Sequence, residues 1–282
     1  MHIARIAVGA QPDFALQTSA GAWVPFASVG IDAPDTASAI SQIRSVRARV
    51  AAGDGEPVAG EPVLQCPVVR PSKMFAIGLN YMDHIRETGA KQPAAPVVFA
   101  KYPNSLLGPR GTIVVETGLT KMGDYESELA VVIGVRTRHV TVDDALSTVF
   151  GYAVANDVSA RDLQRSDSQF SRSKSFDTFC PIGPWITTAD EIPDPQTLAI
   201  RSSVNGESRQ ESNTAEMIFP VAYLISYLSR TMTLEPGDVI LTGTPHGVGF
   251  AMTPPRFLGD GDVVRCEVDG LGAIENNVVT VG

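Results

Sequence analysis

The sequence has few cysteines and histidines and an excess of acidic over basic residues. Its three cysteines, Cys66, Cys180 and Cys266, lie far apart and form no CxxC pair, which excludes a zinc ribbon and a redox dithiol. Lysine and arginine total 22 against 31 acidic residues, for a formal charge of −9, and this argues against a nucleic-acid-binding surface. The cysteine usage is typical of a reducing compartment, so we predict a cytoplasmic location.

Long apolar runs are also missing. The longest, around Met217 to Leu228, is interrupted by polar and aromatic residues and is too short to cross a bilayer. Residues 1–13 lack the basic segment and apolar core of a secretory signal. We therefore expect no membrane partner. With 282 residues, of which 44% are hydrophobic and 19% charged, the chain can bury its own core without disulfides or a folding metal.

Residues 1–70 form the first of two predicted units, a small N-terminal α/β unit. Phe14–Leu16 and Trp23–Phe26 flank a turn and predict a short hairpin. From Asp35 to about Ala52, apolar residues recur at three- and four-residue steps, which predicts a helix. The stretch from Gly53 to Pro71 is rich in glycine and proline and is interpreted as a linker.

The second unit, residues 71–282, alternates short apolar runs with turns. Asn205-Gly206 predicts a hairpin turn, and Thr214 is predicted to cap a helix that begins near Met217. Because helical patterns are too few to link each pair of strands, we predict a strand-dominated α+β fold. The predicted strands, all rich in Val and Ile, are Leu129–Ile133, Gly151–Ala155, Leu198–Val204, Val239–Thr242, Val263–Val268 and Ala273–Val279.

Acidic side chains stand at the ends of two predicted strands. Glu126 and Glu128 lead into one strand, and their spacing points both to the same face. Asp157 follows another strand. An exposed polar face for the glutamates and a helix N-cap for Asp157 are the alternatives. Three carboxylates from neighbouring strand ends suit a hard divalent ion such as Mg²⁺ or Mn²⁺, whereas zinc is disfavoured without clustered His and Cys.

A histidine and a glutamate form a second candidate pair. If a short helix follows Asn80 and ends at Gly89, His84 and Glu87 lie on one face at i, i+3 spacing. A carboxylate on one imidazole nitrogen orients the ring and leaves the other nitrogen free to deprotonate a water. A surface pair without a role is the alternative.

Two polar loops complete the candidates. Lys174 lies in a loop where a lysine is ordinarily solvated. The loop 242–249 is glycine-rich but lacks the lysine of a phosphate loop and the GxGxxG spacing, so it supports nucleotide binding only weakly. We expect its backbone amides and the Thr244 hydroxyl to meet a substrate carboxylate. His246 is either a second base or structural.

In this order, the segments resemble the fumarylacetoacetate hydrolase family. Each motif alone is weak, but seven in sequence order are specific, and they cover roughly Met74 to Val279. The matching motifs are Gly78-Leu79-Asn80-Tyr81 with His84 and Glu87, Phe99-Ala100-Lys101, Asp124-Tyr125-Glu126-Ser127-Glu128-Leu129, Asn156-Asp157-Val158-Ser159-Ala160-Arg161-Asp162, Lys174 with Asp177-Thr178-Phe179, Val204-Asn205-Gly206-Glu207, and Thr242-Gly243-Thr244-Pro245 with Gly247-Val248-Gly249.

The resemblance implies a role for each candidate residue. Its metal carboxylates fall on Glu126, Glu128 and Asp157, and its water-activating dyad falls on His84 and Glu87. The family's oxyanion-side and substrate-binding positions fall on Lys174 and Gln164, and on Lys101, Thr244, Asn80 and Tyr81. The implied fold is a mixed β-roll catalytic domain that assembles as a homodimer, with one Mg²⁺ or Mn²⁺ ion per chain.

The family's members include C–C bond hydrolases, decarboxylases and isomerases of small keto acids. The dyad of His84 and Glu87 favours water activation, so the resemblance implies a metal-dependent hydrolase of a 2,4-dioxo acid or acylpyruvate from aromatic or sugar-acid breakdown. Activated water would attack the distal carbonyl, and the metal would stabilise the enolate that leaves. The alternatives are an oxaloacetate-type decarboxylase, a 2-hydroxymuconate-type isomerase and a non-catalytic metal-binding protein. The expected substrate is a small anionic keto acid.

Overall fold

Strands in three sheets are the main regular structure of the protein. The computed structural model describes residues 1–8 and 11–282. The strands are β1 (His2–Val8), β2 (Gln11–Gln17), β3 (Trp23–Pro25), β4 (Leu64–Gln65), β5 (Met74–Gly78), β6 (Val97–Ala100), β7 (Leu106–Leu107), β8 (Ile113–Glu116), β9 (Gly123–Asp124), β10 (Ser127–Ile133), β11 (Val149–Asn156), β12 (Ser159–Ala160), β13 (Cys180–Thr188), β14 (Ala199–Val204), β15 (Glu207–Asn213), β16 (Val239–Leu241), β17 (Val263–Val268) and β18 (Gly272–Val281). The α-helices are α1 (Thr36–Ala51), α2 (Met82–Thr88), α3 (Val142–Ala145), α4 (Arg161–Ser166) and α5 (Val221–Ser229).

The largest sheet runs in the order β3-β2-β1-β13-β11-β10-β16-β5-β6, with β4 paired to β1 and β7 to β13. Its central strands, β10 and β11, are antiparallel, with Ser127 opposite Asn156. A second sheet has the order β15-β14-β17-β18-β8, and β9 pairs with β12. The predicted strand-dominated α+β fold is confirmed.

Every residue of β10 is buried, because both of its faces are covered. Leu129, Val131 and Ile133 pack in one apolar cluster that includes residues of the second sheet. Ala130 and Val132 pack in another cluster on the opposite face. Side chains alternate along a strand, so Glu126 and Glu128 continue the row of Ala130 and Val132.

The N-terminal residues form the predicted hairpin and helix. In the hairpin, β2 pairs with β3 and Leu16 lies opposite Val24. Helix α1 is capped by Asp35, whose carboxylate accepts a hydrogen bond from Ser38 N. Strand β1 pairs with β13 and so continues the large sheet, and the interpreted linker contains the short strand β4. The division into units at residue 70 stays a prediction.

The helix predicted to begin near Met217 with Thr214 as its cap begins later. Pro220 is the N-cap of α5, and Thr214 instead opens a 3-10 turn that is capped by Asn213. The reason is local, since a residue that precedes proline avoids helical backbone angles and Phe219 therefore cannot extend the helix upstream. None of the helices in the described residues combines the length and apolar character that crossing a membrane requires.

The cap of α1 gives a test of the fold. Asp35 Oδ1 accepts hydrogen bonds from Ser38 N at 2.8 Å and Ser38 Oγ at 2.6 Å, and these bonds lower the pKa of Asp35. Asp35→Ala should reduce the free energy of unfolding by about 1 kcal/mol at pH 7, and Asp35→Asn should cost less because asparagine also caps helices.

A lowered carboxyl pKa stabilises the folded state above the unfolded pKa, and this stabilisation is lost as the pH falls through the folded pKa. The difference between the wild type and Asp35→Ala in urea unfolding should therefore shrink in acid. An unchanged difference at pH 3 would rule out a charged cap.

Candidate active site

The register of β10 and β11 brings three acids together. Glu126 precedes β10, Asp157 follows β11, and Asp157 N donates to Glu126 O at 2.9 Å. Glu126, Glu128 and Asp157 are all buried, and one carboxylate oxygen from each lies within 4.8 Å of the others. Asp157 is not an N-cap, since α4 begins at Arg161 and its N-cap residue is Ala160. The acids thus converge as the strand pattern predicts.

Two buried lysines contact these acids. Lys174 Nζ lies 2.6 Å from Glu126 Oε2 and 2.8 Å from Asp157 Oδ2. Lys101 Nζ lies 2.6 Å from Asp157 Oδ1 and also donates to the carbonyl oxygen of Lys174. Lys174 is only 3% exposed, so the expectation of a solvated loop lysine does not hold. Burial of the carboxylates requires a counter-charge, and that requirement outweighs the loop's polarity.

Arg161 is a third buried cation, which the sequence motif contains but to which we assigned no role. Its Nε donates to Asp124 Oδ2 at 2.8 Å, and its Nη2 lies 2.6 Å from Glu126 Oε1. Its guanidinium stands 4.5 Å above the centre of the Phe250 ring. The only sign of Arg161 in the sequence is its position as the first residue of the helix that follows Asp157. Its burial depends on contacts with segments that are distant in the sequence.

Nearby cations compensate the charge of Glu126 much more than that of Glu128. Burial raises the pKa of Glu126, but the charges of Arg161 and Lys174 outweigh it and lower that pKa to about 2. Burial and the charges of Asp157 and Glu126 raise the pKa of Glu128 well above its usual range. Glu128 accepts a hydrogen bond from Gly243 N at 2.9 Å and forms no ion pair with any described residue. Glu128 is therefore the acid that most lacks a cation.

This donor set fits a hard divalent ion. All three residues offer carboxylate oxygens, which Mg²⁺ and Mn²⁺ prefer as ligands. No described histidine or cysteine belongs to the cluster, which agrees with the expectation that zinc is disfavoured. A cation beside Glu128 would oppose both the burial and the repulsion that raise its pKa.

His84 and Glu87 lie on α2, which ends at Gly89 as predicted, in left-handed backbone with φ of 65°. His84 Nδ1 is 3.3 Å from Glu87 Oε2, and His84 is 6% exposed, unlike the surface pair of the alternative interpretation. Glu87 Oε1 accepts from Gly247 N at 2.8 Å. Gly247 has φ of 93°, and a Cβ there would lie 2.0 Å from Arg209 O, so only glycine fits this contact.

His246 supports the loop rather than the cavity. Its Nε2 lies 3.0 Å from Glu211 O, and it is not among the residues that line the cavity. The structure favours the structural interpretation of this histidine over a second base.

The candidate residues surround a cavity of about 280 Å³. Eight of the lining residues are polar or charged, and the other six are apolar residues or glycine. The polar lining consists of His84, Glu126, Glu128, Arg161, Gln164, Arg165, Lys174 and Thr244, and the remaining wall is Ile77, Gly78, Leu79, Phe99, Phe170 and Phe250.

Five predicted residues lie outside this lining. Glu87 is one of them, and it contacts His84 Nδ1. Asp157 and Lys101 pair with each other in the buried charge cluster. Asn80 donates to the carbonyl oxygens of Phe219 and Thr242. It thereby links the residues before α5 to the loop after β16. Tyr81 is fully buried. The substrate-binding roles of Lys101, Asn80 and Tyr81 stay predictions.

Gln164 and Thr244 line the cavity with part of their hydrogen-bonding capacity already used. Thr244 Oγ1 donates to Ser127 O at 2.9 Å and accepts from Gln210 Nε2 at 2.8 Å. Gln164 Oε1 accepts from Arg161 Nη1 at 2.9 Å. A guanidinium only donates hydrogen bonds, so the amide NH₂ of Gln164 points away from Arg161. The predicted contact of Thr244 with a substrate carboxylate stays a prediction.

Known proteins are similar to this chain in sequence and in fold. Residues 73–279 match the family described as fumarylacetoacetate (FAA) hydrolase C-terminal. Oxaloacetate tautomerase fahd2, mitochondrial, of Xenopus laevis is 48% identical over 218 residues, which are 77% of this chain and 68% of that protein. The name of this relative places it in mitochondria, and the cytoplasmic location of this chain stays a prediction.

Two solved structures cover all of this chain and are themselves fully covered. A fumarylacetoacetate hydrolase from psychrophilic Exiguobacterium antarcticum is 37% identical with a TM-score of 0.89. A maleylpyruvate hydrolase from Sphingobium sp. SYK-6, in complex with manganese (II) ion and pyruvate, is 30% identical with a TM-score of 0.83. The ordered motifs, the sheet arrangement and these similarities agree that the chain belongs to the fumarylacetoacetate hydrolase family of enzymes.

Proposed function

We propose that this chain is a divalent-cation-dependent tautomerase that interconverts the enol and keto forms of a 2-oxo diacid of the oxaloacetate type. The observation that carries the proposal is that His84, Lys174 and two of the three clustered carboxylates line one small cavity. The 48% identity to a protein named oxaloacetate tautomerase supports this reaction.

Glu126, Glu128 and Asp157 would hold the ion, either Mg²⁺ or Mn²⁺. When bound, a divalent cation stabilises the negative charge that develops on the keto oxygen of a 2-oxo acid. The three hard oxygen donors and the uncompensated charge of Glu128 support this assignment. Manganese in the similar maleylpyruvate hydrolase supports it as well.

Tautomerisation moves one proton between C3 and the keto oxygen of the substrate. Because Glu87 holds Nδ1 of His84, the ring's other nitrogen is left to take the proton from C3. The electrons of the C3–H bond form the C2–C3 double bond, and the carbonyl electron pair moves to the oxygen. Lys174 lines the same cavity, and its ammonium is the donor that stabilises and protonates this oxygen.

The apolar part of the lining supports this chemistry by limiting the contact of His84, which is 6% exposed, with bulk water. Phe99 and Phe170 pack edge to face at 5.6 Å, and Phe250 lies edge-on to His84 at 6.2 Å. Charges interact more strongly in such a water-poor space, so proton transfer between His84 and the substrate is favoured over exchange with solvent.

A second candidate is the C–C hydrolase that the sequence favours. The similarity to maleylpyruvate hydrolase supports it. In that reaction an acylpyruvate and water give pyruvate and a carboxylic acid, and His84 would take the proton of the attacking water. The two functions differ in whether His84 takes a proton from C3 of the substrate or from an attacking water.

Product analysis separates the candidates. With oxaloacetate and Mg²⁺ or Mn²⁺, we expect faster decay of the enol absorbance and no more C–C cleavage product than in the enzyme-free control, because a tautomerase moves only a proton. A decarboxylase would release pyruvate and carbon dioxide, and a hydrolase would release pyruvate and a carboxylic acid from acetylpyruvate. Enzyme-dependent cleavage without accelerated enol–keto exchange would contradict the tautomerase proposal.

His84→Gln should reduce kcat by about 10²–10⁴-fold, the range that a general acid–base group contributes, because the free imidazole nitrogen is lost. Binding of Mn²⁺, followed by titration calorimetry, should remain. His139→Asn is the matched control, since His139 is exposed and has φ of 55°, a backbone conformation that asparagine also adopts. Full turnover by His84→Gln would remove His84 from the mechanism.

Glu128→Gln tests the ion site. We expect Mn²⁺ affinity to fall at least tenfold, because one charged ligand is lost, whereas Glu116→Gln, at an exposed glutamate of β8, should bind normally. Since the folded state disfavours the charge of Glu128, Glu128→Gln should not lower the melting temperature of the metal-free protein. Saturating Mn²⁺ should raise the melting temperature of the wild type more than that of Glu128→Gln. Equal affinities would exclude Glu128 as a ligand.

A further inference from the structure

The cavity is lined by three cations, and two of them are already paired. Arg161 contacts Asp124 and Glu126, and Lys174 contacts Glu126 and Asp157. The third is Arg165, an exposed residue of α4 that lines the same cavity. Within residues 1–8 and 11–282, Arg165 forms no ion pair and no side-chain hydrogen bond.

The acids nearest to Arg165 in sequence are held by other groups. Asp162, one helical turn earlier, accepts from Thr120 Oγ1 at 2.6 Å and from Lys121 N at 3.0 Å. Asp167 is held by Arg172 through two contacts of 2.6 and 2.8 Å. Neither of the acids that flank Arg165 in the sequence therefore neutralises it, and its charge stays available to a ligand in the cavity.

The charge balance shows what this free cation can bind. Four buried carboxylates face three buried cations, which leaves one negative charge; one divalent ion changes this to one positive charge. The carboxylate of a 2-oxo monoacid neutralises that charge. A diacid brings a second negative charge, and a further cation has to meet it. The buried set comprises Asp124, Glu126, Glu128 and Asp157 against Lys101, Arg161 and Lys174.

We propose that Arg165 binds the distal carboxylate of the substrate and thereby selects 2-oxo diacids over 2-oxo monoacids. The proposal rests on the proposed function, because it assumes that the 2-oxo end lies at the carboxylate cluster. The distal carboxylate then reaches the α4 side of the cavity, where Arg165 offers a planar fork of donors that matches a carboxylate.

Gln164, the residue before Arg165, supports this placement of the distal carboxylate. Gln164 also lines the cavity, and its NH₂ group points away from Arg161 and donates to no described residue. Gln164 and Arg165 together present donors without acceptors, whereas Ile77, Leu79 and Phe99 offer only apolar surface. A substrate with an anion at each end and a short apolar middle matches this distribution.

Binding of two unreactive acids tests the proposal. 2-Oxobutyrate and 2-oxoglutarate share the 2-oxo end and differ by one terminal carboxylate. Their dissociation constants are measured by titration calorimetry in saturating Mn²⁺ for the wild type, Arg165→Gln, Arg165→Lys and Arg172→Gln. Arg172 is the matched control, since it lies seven residues later, pairs with Asp167 and is not among the cavity-lining residues.

We expect Arg165→Gln to weaken 2-oxoglutarate binding about tenfold or more while 2-oxobutyrate changes less than about threefold, because a charge-assisted contact is lost only for the diacid. Arg165→Lys should retain part of the preference, and Arg172→Gln should retain all of it. A preference for 2-oxoglutarate that survives Arg165→Gln would overturn the role of Arg165 and leave the proposed function standing. If neither acid binds the Mn²⁺-loaded wild type, the proposed function fails, and this inference fails with it.

Discussion

The burial of carboxylates in one place is the constraint on which the rest of the site depends. An isolated charge in a protein interior costs several kcal/mol, so each buried acid needs a cation or a hydrogen-bond donor. The structure meets this requirement with cations from three separate parts of the chain, at the residue after β6, in α4 and in the loop before β13. These contacts hold the three segments against the carboxylates. They explain why the polar loop that carries Lys174 is buried. The cations are Lys101, Arg161 and Lys174.

The buried cations do not fully neutralise the buried carboxylates. The chemistry of the site follows from the negative charge that is left. Glu126 is held ionised by two cations, whereas Glu128 has only a backbone donor. A divalent ion held by the three carboxylates would supply the positive charge that Glu128 lacks and would reverse the sign of the local charge. A protein with a net charge of −9 can then attract an anionic substrate to this one cavity. The charge of the whole chain therefore says little about the charge of its site.

The sequence predicts the parts of this site that depend on local rules. Alternation along β10 places Glu126 and Glu128 on one face, and Gly89 ends the helix that carries His84. The contacts missed in the sequence all join distant segments: Arg161 with Asp124, and Glu87 with the amide of Gly247, 160 residues away. The start of α5 was misplaced for a local reason, since proline sets the helix start more strongly than a threonine cap.

The central claim is that Glu126, Glu128 and Asp157 hold one divalent ion. Anomalous diffraction at the manganese edge, from crystals grown with Mn²⁺, tests it most directly. Our account predicts one strong anomalous peak per chain, within bonding distance of an oxygen of each of the three carboxylates and with Lys174 displaced from between them. A peak elsewhere, or Lys174 still bridging Glu126 and Asp157 at saturating Mn²⁺, would contradict the account.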